Sequence, residues 1–296
     1  MWRIWVSALF WGLNWPAVKL ALAGFSPWTL RAAGLGLGAA LLAIIAKIIG
    51  RSLFVPAGHR MALFIAGFLS VAGFNICVVF AQLAMATSRA AILTFTMPLW
   101  ATVFAALFFG ERIDSLRAAA LVCGALGLAL LAEPYWPAVA GGSLPPGLIY
   151  VLGAAISWAA GTVYTKHRGK PGDPLGLAAW QLAIGSAIAA LGAAAFEVPR
   201  MDISDPVVAG AFVYHVVLAL ALAYFLWFQL LERVPSATAA LGTLLIPVFA
   251  VIGSAIILGE RPTLLDFAGF ALISIGVGLD QLLRAPFAKQ SGESRS

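Results

Sequence analysis

The sequence predicts an all-α integral membrane protein with ten transmembrane helices in two five-helix inverted repeats. Composition is the first reason: the 296 residues are 62% hydrophobic and only 10% charged, and a soluble domain of this size cannot bury that much apolar surface. The second is that charged residues, Pro and Gly divide the chain into apolar runs of about 20 residues, the length of a helix that spans a bilayer. The third is the phrase Gly-Glu-Arg, which occurs at 110–112 and again at 259–261.

The apolar runs give the helices in order. We predict transmembrane helices at 2–22, 27–49, 60–83, 88–109, 115–132, 147–168, 174–196, 206–230, 236–258 and 263–283. The first run has some features of a signal peptide, because Arg3 precedes it and Ala-Leu-Ala at 21–23 has the form of a cleavage site. Asn14, Pro16 and Lys19 interrupt its apolar character, so we expect it to remain as a helix.

The two halves of the chain repeat one another at an offset of 149 residues, at which Thr94 meets Thr243 and Pro98 meets Pro247. Each copy holds five helices, an odd number, so the second copy must enter the bilayer from the opposite side. The predicted domains are a first repeat at 1–132, a Pro- and Gly-rich linker at 133–146, a second repeat at 147–284 and a cytoplasmic tail at 285–296.

Positively charged residues indicate the orientation, because loops that stay in the cytoplasm carry the excess of Lys and Arg. With the amino terminus inside, all but five of the 18 Lys and Arg residues lie on the cytoplasmic side. The exceptions are Lys19, Arg31, Arg89, Arg200 and Arg261. Both termini are therefore expected in the cytoplasm of a bacterial inner membrane. The net charge of +6 is expected to lie at the surface of the lipid bilayer, and no nucleic-acid partner is predicted.

The repeated tripeptide has a structural interpretation. Gly110 and Gly259 can end their helices in left-handed caps, and Glu111 and Glu260 are expected to face the positive amino end of the next helix. A direct role in substrate chemistry is the alternative.

Two motifs carry a family resemblance. Trp-Gly-Leu-Asn at 11–14, and Pro98 or Pro247 followed by Gly-Glu-Arg, resemble the EamA-type repeat of the drug/metabolite transporter superfamily over nearly the whole chain. Bacterial exporters of aromatic amino acids are the most similar members. The resemblance implies a ten-helix inner-membrane carrier that exports amino acids or other small metabolites by alternating access through a cavity between its halves, and that functions as a monomer. The second copy has Trp-Ala-Ala-Gly at 158–161, so Asn14 has no counterpart there.

Polar residues within the apolar segments are candidates for a binding site. A side-chain amide that faced lipid would lack hydrogen-bond partners, so Asn14 on the first helix and Asn75 and Gln82 on the third are predicted to face inward. Trp11 shares the face of Asn14. The amides are expected either to line a cavity or to form hydrogen bonds between helices.

Helices four and nine present matching faces, with Thr94, Met97 and Pro98 on one and Thr243 and Pro247 on the other. A proline within a helix leaves a carbonyl free for a ligand and allows the helix to bend. The alternative is a fixed kink filled by a neighbouring helix. The occurrence of this proline in both copies favours a moving part.

Aromatic residues are further candidates. Trp158 and Tyr224 occupy the repeat positions of Trp11 and Asn75, at offsets of 147 and 149 residues, and their rings would suit an aromatic or large apolar metabolite. The alternative is a place in the aromatic belt at the membrane surface.

The distribution of acidic residues bears on coupling, because all twelve lie in predicted loops, tails or last helical turns. A proton-coupled antiporter usually keeps a carboxylate near the midplane, so facilitated movement of a neutral or zwitterionic solute is the predicted mechanism. His215 is the only titratable candidate well within a helix, and a structural histidine is favoured over a proton relay. A proton-coupled drug/metabolite antiporter and a channel-like pore remain as alternatives.

The sequence lacks the residue patterns that are typical of catalytic sites and metal sites. An enzyme within the membrane would need a Ser-His or paired-Asp arrangement at depth, which the positions of the acids disfavour. Cys77 and Cys123 have no companions at metal-ligand spacing. No enzymatic activity, metal or cofactor is therefore predicted.

Overall fold

The computed structural model describes residues 2–169, 172–231 and 242–284. These residues are predominantly helical and contain no β-strand beyond an isolated bridge between Phe25 and Met201. The all-α prediction is confirmed. The start of the predicted helix at 236–258 and the predicted tail at 285–296 lie outside the described residues.

The helices follow the predicted segments closely. In the first half they are α1 (Trp2–Ala21), α2 (Pro27–Ile48), α3 (Ala57–Ala84), α4 (Thr87–Phe109) and α5 (Ser115–Leu131). In the second half they are α6 (Pro146–Arg168), α7 (Pro174–Phe196), α8 (Pro206–Leu231), α9 (Leu245–Leu258) and α10 (Leu264–Arg284). The predicted linker is partly ordered, because it contains a 3-10 turn at Glu133–Tyr135 and a short helix at Trp136–Ala140.

Six of these helices are long and apolar enough to cross a membrane, namely α2, α3, α4, α6, α7 and α8. A seventh span would arise if α5 and the helical turns after it, which bend by 55°, acted together. The described part of α9 and the apolar part of α10 are shorter. In α1, Arg3, Asn14 and Lys19 interrupt the apolar sequence. The chain therefore has the helices of a multi-pass membrane protein, and the number ten stays a prediction.

Several irregularities occur at matched positions in the two halves. Helix α3 contains a π-helical stretch at Phe68–Gly73, and α8 contains one at Tyr214–Leu222. Each of α4 and α9 ends at a glycine with positive φ, 66° at Gly110 and 69° at Gly259, as expected for left-handed caps. The backbone thus follows the offset of 149 residues seen in the sequence.

Helix α4 is broken in the middle, after Thr94 and before Met97. Pro98 consequently lies in the first turn of the second part of the helix, where a missing N–H leaves no intrahelical hydrogen bond unmade. The predicted mid-helix proline therefore follows an interruption of the helix instead of bending a continuous one.

Packing between the two halves brings α2 against α7, α5 against α10, α1 against α8 and α9, and α6 against α3 and α4. Small residues allow close approach at several of these contacts. A Cβ at Gly127 of α5, for example, would lie 2.7 Å from the carbonyl oxygen of Gly269 in α10. The pairing leaves a cavity between the halves.

Candidate functional site

A cavity of about 770 Å³ lies between the halves. Its walls come from α1, α2, α3, α4, α6, α7 and α8, together with Thr243 and Ile246 near the start of α9. This volume falls in the range of sites that bind metabolites and drug-sized molecules.

The cavity opens at one end of the helices and is closed at the other. His59, Arg168 and Gly169 line it at the first end and are exposed. Arg31 and Gln82 line it at the second end and are buried, with 1% and 0% of their surface exposed. We call these the open end and the closed end.

The first contact at the closed end joins the α7–α8 connection to the start of α2. The carboxylate of Glu197 accepts hydrogen bonds from the backbone N–H groups of Trp28 and Thr29, at 3.2 and 2.7 Å, and from the Thr29 hydroxyl at 2.9 Å. The N–H of Ser26 donates to the carbonyl of Arg200 at 3.1 Å. Residues far apart in sequence therefore cap the amino end of α2.

A backbone contact continues this closure. The N–H of Asp202 donates to the carbonyl of Gly24 at 2.9 Å. The carboxylate of Asp202 accepts hydrogen bonds from the Ser204 hydroxyl and backbone N–H, at 2.6 and 3.0 Å, and these bonds hold the pKa of Asp202 below its ordinary value.

The second closing contact joins α9 to the start of α4. The carboxylate of Glu260 accepts hydrogen bonds from the N–H groups of Thr87 and Ser88, at 2.7 and 2.9 Å, and from the Ser88 hydroxyl at 2.6 Å. Beside it, Arg89 pairs with Asp266 at 2.8 Å. The glutamate of the second Gly-Glu-Arg therefore caps a helix of the other half.

The expectation that these glutamates face the next helix is wrong for Glu260, whereas Glu111 Oε2 does lie 3.8 Å from the Arg117 guanidinium in the first turn of α5. At the start of α5, Asp114 accepts the hydrogen bond from the Arg117 N–H at 2.8 Å, while Glu111 pairs with Lys166 of α6. At the start of α10, Asp266 is the carboxylate that accepts from the N–H of Thr263. A nearer aspartate caps each of these helix starts, and both glutamates form contacts with a helix of the other half.

Nine of the eleven predicted site residues line the cavity: Trp11, Asn14, Asn75, Gln82, Met97, Pro98, Trp158, Tyr224 and Thr243. Thr94 and Pro247 do not. Thr94 is fully buried and its hydroxyl donates to the carbonyl of Ala90 at 2.7 Å, and Pro247 is buried within α9. The shared face predicted for Thr94 and Pro98 assumed a continuous helix, and the break in α4 changes their relative direction.

The three amides line the cavity, and for Asn14 and Gln82 this coexists with the alternative of a hydrogen bond between helices. The Asn14 Oδ1 lies 2.8 Å from His215 Nδ1 on α8, and Gln82 Nε2 donates to the Trp15 carbonyl at 2.8 Å. Asn75 Nδ2 donates to the carbonyl of Val71 in its own helix at 2.9 Å. The Oε1 of Gln82 is buried without a partner among the described residues.

Aromatic rings form two groups on the cavity wall. Trp11 meets Tyr224 and Trp227 edge to face, with ring centroids 5.5 and 5.4 Å apart, and its Nε1 donates to the Ala219 carbonyl. Trp158 lies 4.9 Å from the ring of Phe74. Both groups offer flat apolar surfaces to a ligand.

The charged side chains of the lining are all basic among the described residues: Arg31, Lys166 and Arg168. Lys166 and Arg168 lie near the open end, and Lys166 is paired with Glu111. Arg31 was placed by sequence reasoning with the residues outside the membrane. Its position inside the apolar segment 27–49 was the signal that could have assigned it to the site, because buried charges within spans usually face a cavity.

His215 is fully buried and does not line the cavity. Its hydrogen bond to Asn14 joins α8 to α1, as expected of a structural histidine. Among the described residues, no group of three His, Cys, Asp or Glu side chains could hold a metal ion.

Comparison with known proteins gives a family match over nearly the whole chain. Residues 2–132 and 145–279 match the model of the EamA-like transporter family. The chain is 28% identical over 280 residues to the uncharacterized transporter YvbV of Bacillus subtilis strain 168, covering 92% of this chain and 88% of that one. It is 26% identical over 285 residues to a probable amino-acid metabolite efflux pump of Escherichia coli strain K12, covering 90% and 89%.

A solved crystal structure aligns over 96% of this chain and 97% of its own, with a TM-score of 0.65 and 20% sequence identity. Similarity at this level of identity concerns the fold alone.

Proposed function

Because the chain belongs to the EamA-like transporter family, whose members are transporters and not enzymes, we propose that it exports amino acids or related small metabolites from the cytoplasm. Aromatic or large neutral amino acids are the proposed solutes. The relative in Escherichia coli named as a probable amino-acid metabolite efflux pump supports the amino-acid class. The family also places the protein in a membrane with a small-molecule substrate. We propose that it acts as a monomer in the bacterial inner membrane.

One observation carries this proposal: the cavity between the halves has aromatic walls, with amides and one arginine toward its closed end. Trp11, Trp158 and Tyr224 would contact an apolar side chain, and Asn14 and Asn75 would contact the polar part of the solute.

The proposed architecture is ten helices in two inverted repeats. The contacts between elements support it, because α1 packs on α9 as α6 packs on α4, and α1 packs on α8 as α6 packs on α3. Two inverted halves can exchange roles, which opens a central site first to one side and then to the other.

In this proposal the open end faces the cytoplasm and both termini lie there. Exposed Arg51, Arg60 and Arg168 flank the open end, as the excess of positive charge on the cytoplasmic side requires. Export then needs the closed end to open, and the bonds made by Glu197 and Glu260 must break in that step.

We propose that transport is facilitated and is driven by the concentration gradient of the solute. The lining residues described include no Asp or Glu, and His215 is held by Asn14 behind the wall. We expect His215→Gln to leave transport and its pH dependence nearly intact, measured as counterflow between pH 6 and 8. Loss of proton-driven uptake in this variant alone would favour the proton-coupled alternative.

Transport by the purified protein in proteoliposomes tests the function. We expect saturable uptake and counterflow of labelled phenylalanine, tyrosine, tryptophan or leucine. Protein-free liposomes are the control. Flux that does not saturate and shows no counterflow would indicate a channel-like pore. Uptake of none of the amino acids by folded protein would contradict the proposed substrate class.

A further inference from the structure

Arg31 is the most deeply buried charge of the cavity. It lies in the second turn of α2, has 1% of its surface exposed, and lines the cavity at the closed end. A guanidinium in this position remains charged under ordinary conditions and costs considerable free energy to bury without a partner.

No such partner exists in the described part of the chain. Arg31 forms neither a hydrogen bond nor an ion pair there, and its Nε is buried and unbonded. The carboxylates near the closed end are committed elsewhere: Glu197 to α2, Glu260 to α4 and Asp266 to Arg89. The charge of Arg31 is therefore uncompensated by any residue in the ranges 2–169, 172–231 and 242–284.

A second polar group at the closed end also lacks a hydrogen-bond partner within the described ranges. The Oε1 of Gln82, which also lines the cavity there, is buried without a partner among the described residues. Buried polar atoms usually have partners, so two unsatisfied polar groups at one end of a cavity indicate a site that a ligand completes.

We infer that Arg31 binds the carboxylate of the transported solute at the closed end of the cavity. This assignment rests on the proposed function and extends it, because it makes a free carboxylate a requirement for recognition. A guanidinium and a carboxylate match in charge and can form two parallel hydrogen bonds. One unpaired cation among apolar walls suits a single negative charge better than a phosphate, which carries nearly two at neutral pH.

The acceptor Gln82 Oε1 gives the site its second polar contact. The amide nitrogen of Gln82 donates to the Trp15 carbonyl, and the amide oxygen, which is the acceptor of this side chain, has no partner among the described residues. An ammonium group of a ligand can donate a hydrogen bond to this oxygen. Arg31 and Gln82 together suit a zwitterion, while Trp158 and Tyr224 remain for its side chain.

Equilibrium binding to the detergent-solubilised full-length protein tests the inference with three probes: phenylalanine, phenylalaninamide, which lacks the carboxylate, and 3-phenylpropionate, which lacks the amine. We expect wild-type protein to bind phenylalanine more tightly than phenylalaninamide. Arg31→Gln should weaken binding of phenylalanine and of 3-phenylpropionate by about 10- to 100-fold and leave phenylalaninamide within about twofold. Arg31→Lys should be intermediate, because it keeps the charge and loses the paired hydrogen bonds.

Arg60→Gln is the matched control, since it removes an exposed arginine outside the lining and should bind all three probes as wild type does. Equal affinities of Arg31→Gln and wild type for phenylalanine would overturn the inference. If Arg31→Gln does not fold, competition in wild-type protein decides: equal displacement by phenylalanine and phenylalaninamide overturns the inference, and preferential displacement by phenylalanine supports it.

Failure of the proposed function gives a different pattern. Wild-type protein that binds 3-phenylpropionate through Arg31 but transports no amino acid would contradict amino-acid export and support the role of Arg31. Transport of phenylalanine that Arg31→Gln leaves unchanged would support export and contradict that role. If the protein bound neither phenylalanine nor 3-phenylpropionate, both the proposed function and the role of Arg31 would be contradicted.

Discussion

At the scale of single residues, the side-chain amides of the cavity line its wall and also form hydrogen bonds within the protein. Asn14 holds His215 of the other half, whereas Asn75 bonds within its own helix, and both still line the cavity. A substitution at either position changes the cavity wall, but only the first breaks a contact between helices. Substitutions at these two positions can therefore distinguish a structural role from a role in binding.

Asn14→Leu and Asn75→Leu should distinguish these roles. Asn14→Leu leaves the His215 ring without its buried partner, so we expect a loss of about 1–3 kcal/mol in the free energy of unfolding together with weaker transport. Asn75→Leu should weaken transport with a smaller loss of stability. The measurements are denaturant unfolding and uptake of labelled phenylalanine. Normal transport by both variants, with reduced stability, would mean that these residues hold helices together and that the solute binds elsewhere.

Trp158→Ala should reduce the preference for aromatic over small aliphatic amino acids, because it removes a ring from the wall and leaves the polar contacts in place. We expect the ratio of phenylalanine to alanine transport to fall by about fivefold, which corresponds to a stacking contact of about 1 kcal/mol. Trp136→Ala, which removes an exposed ring outside the cavity, is the control. An unchanged ratio in Trp158→Ala would exclude ring stacking at this position.

At the scale of helices, the caps at the amino ends determine which parts of the molecule are joined. Asp114, Asp173 and Asp205 cap the helix that follows them in sequence, whereas Glu197 and Glu260 reach the starts of α2 and α4 in the other half. An aspartate side chain is short and bonds to the helix that follows it directly. Glu197 and Glu260 have longer side chains and lie just after the ends of α7 and α9, from where they reach another helix. Two glutamate caps therefore join the halves at the closed end, beside the Arg89–Asp266 ion pair.

Glu197→Ala should open the closed end more often. A lost cap costs about 1 kcal/mol, so the balance between closed and open forms should shift by about fivefold. In a variant without Cys77 and Cys123, we would measure the rate at which a membrane-impermeant thiol reagent, added outside, labels Val18→Cys near the closed end of the cavity.

Asp205→Ala is the matched control for this experiment. It removes a carboxylate from the same α7–α8 connection, but that carboxylate accepts only from the N–H of Val207 in its own helix, at 2.7 Å. We expect its labelling rate to equal that of the parent. Equal rates in Glu197→Ala and Asp205→Ala would show that Glu197 does not hold the closed end.

At the scale of the whole molecule, the two ends of the helices differ in their contacts. At the open end the α2–α3 and α6–α7 connections meet through Arg51 and Asp173, whose charged atoms lie 3.3 Å apart, and the cavity mouth remains beside them. At the other end the halves are joined across the cavity. Under the proposed alternating access, this asymmetry would be one of the two states of the cycle.

The proposed topology can be tested by labelling single cysteines in cells. Ser52→Cys and Arg168→Cys should react only with reagents that reach the cytoplasm, and Gly142→Cys should react from outside, because the distribution of positive charge predicts that the first two positions lie inside. The parent without native cysteines is the control. Labelling of positions 52 and 168 from opposite sides would contradict the inverted-repeat arrangement.

The sequence by itself determined the helical class, nearly all described helix positions and nine residues of the cavity wall. Composition and run length decide whether a segment can cross a bilayer, and an amide within such a segment must face inward, so Asn14, Asn75 and Gln82 could be assigned without coordinates. The offset between the halves also anticipated the left-handed caps at Gly110 and Gly259.

Only the tertiary structure decided the contacts between distant residues. The break in α4 turned Thr94 away from the cavity, because a face inferred from helical spacing holds only while the helix is continuous. Glu197 and Glu260 cap helices of the other half, and Arg31 lies buried at the closed end without an acidic partner among the described residues. Spacing along one segment reports directions within that helix, whereas these contacts depend on how helices pack together, which local sequence does not contain.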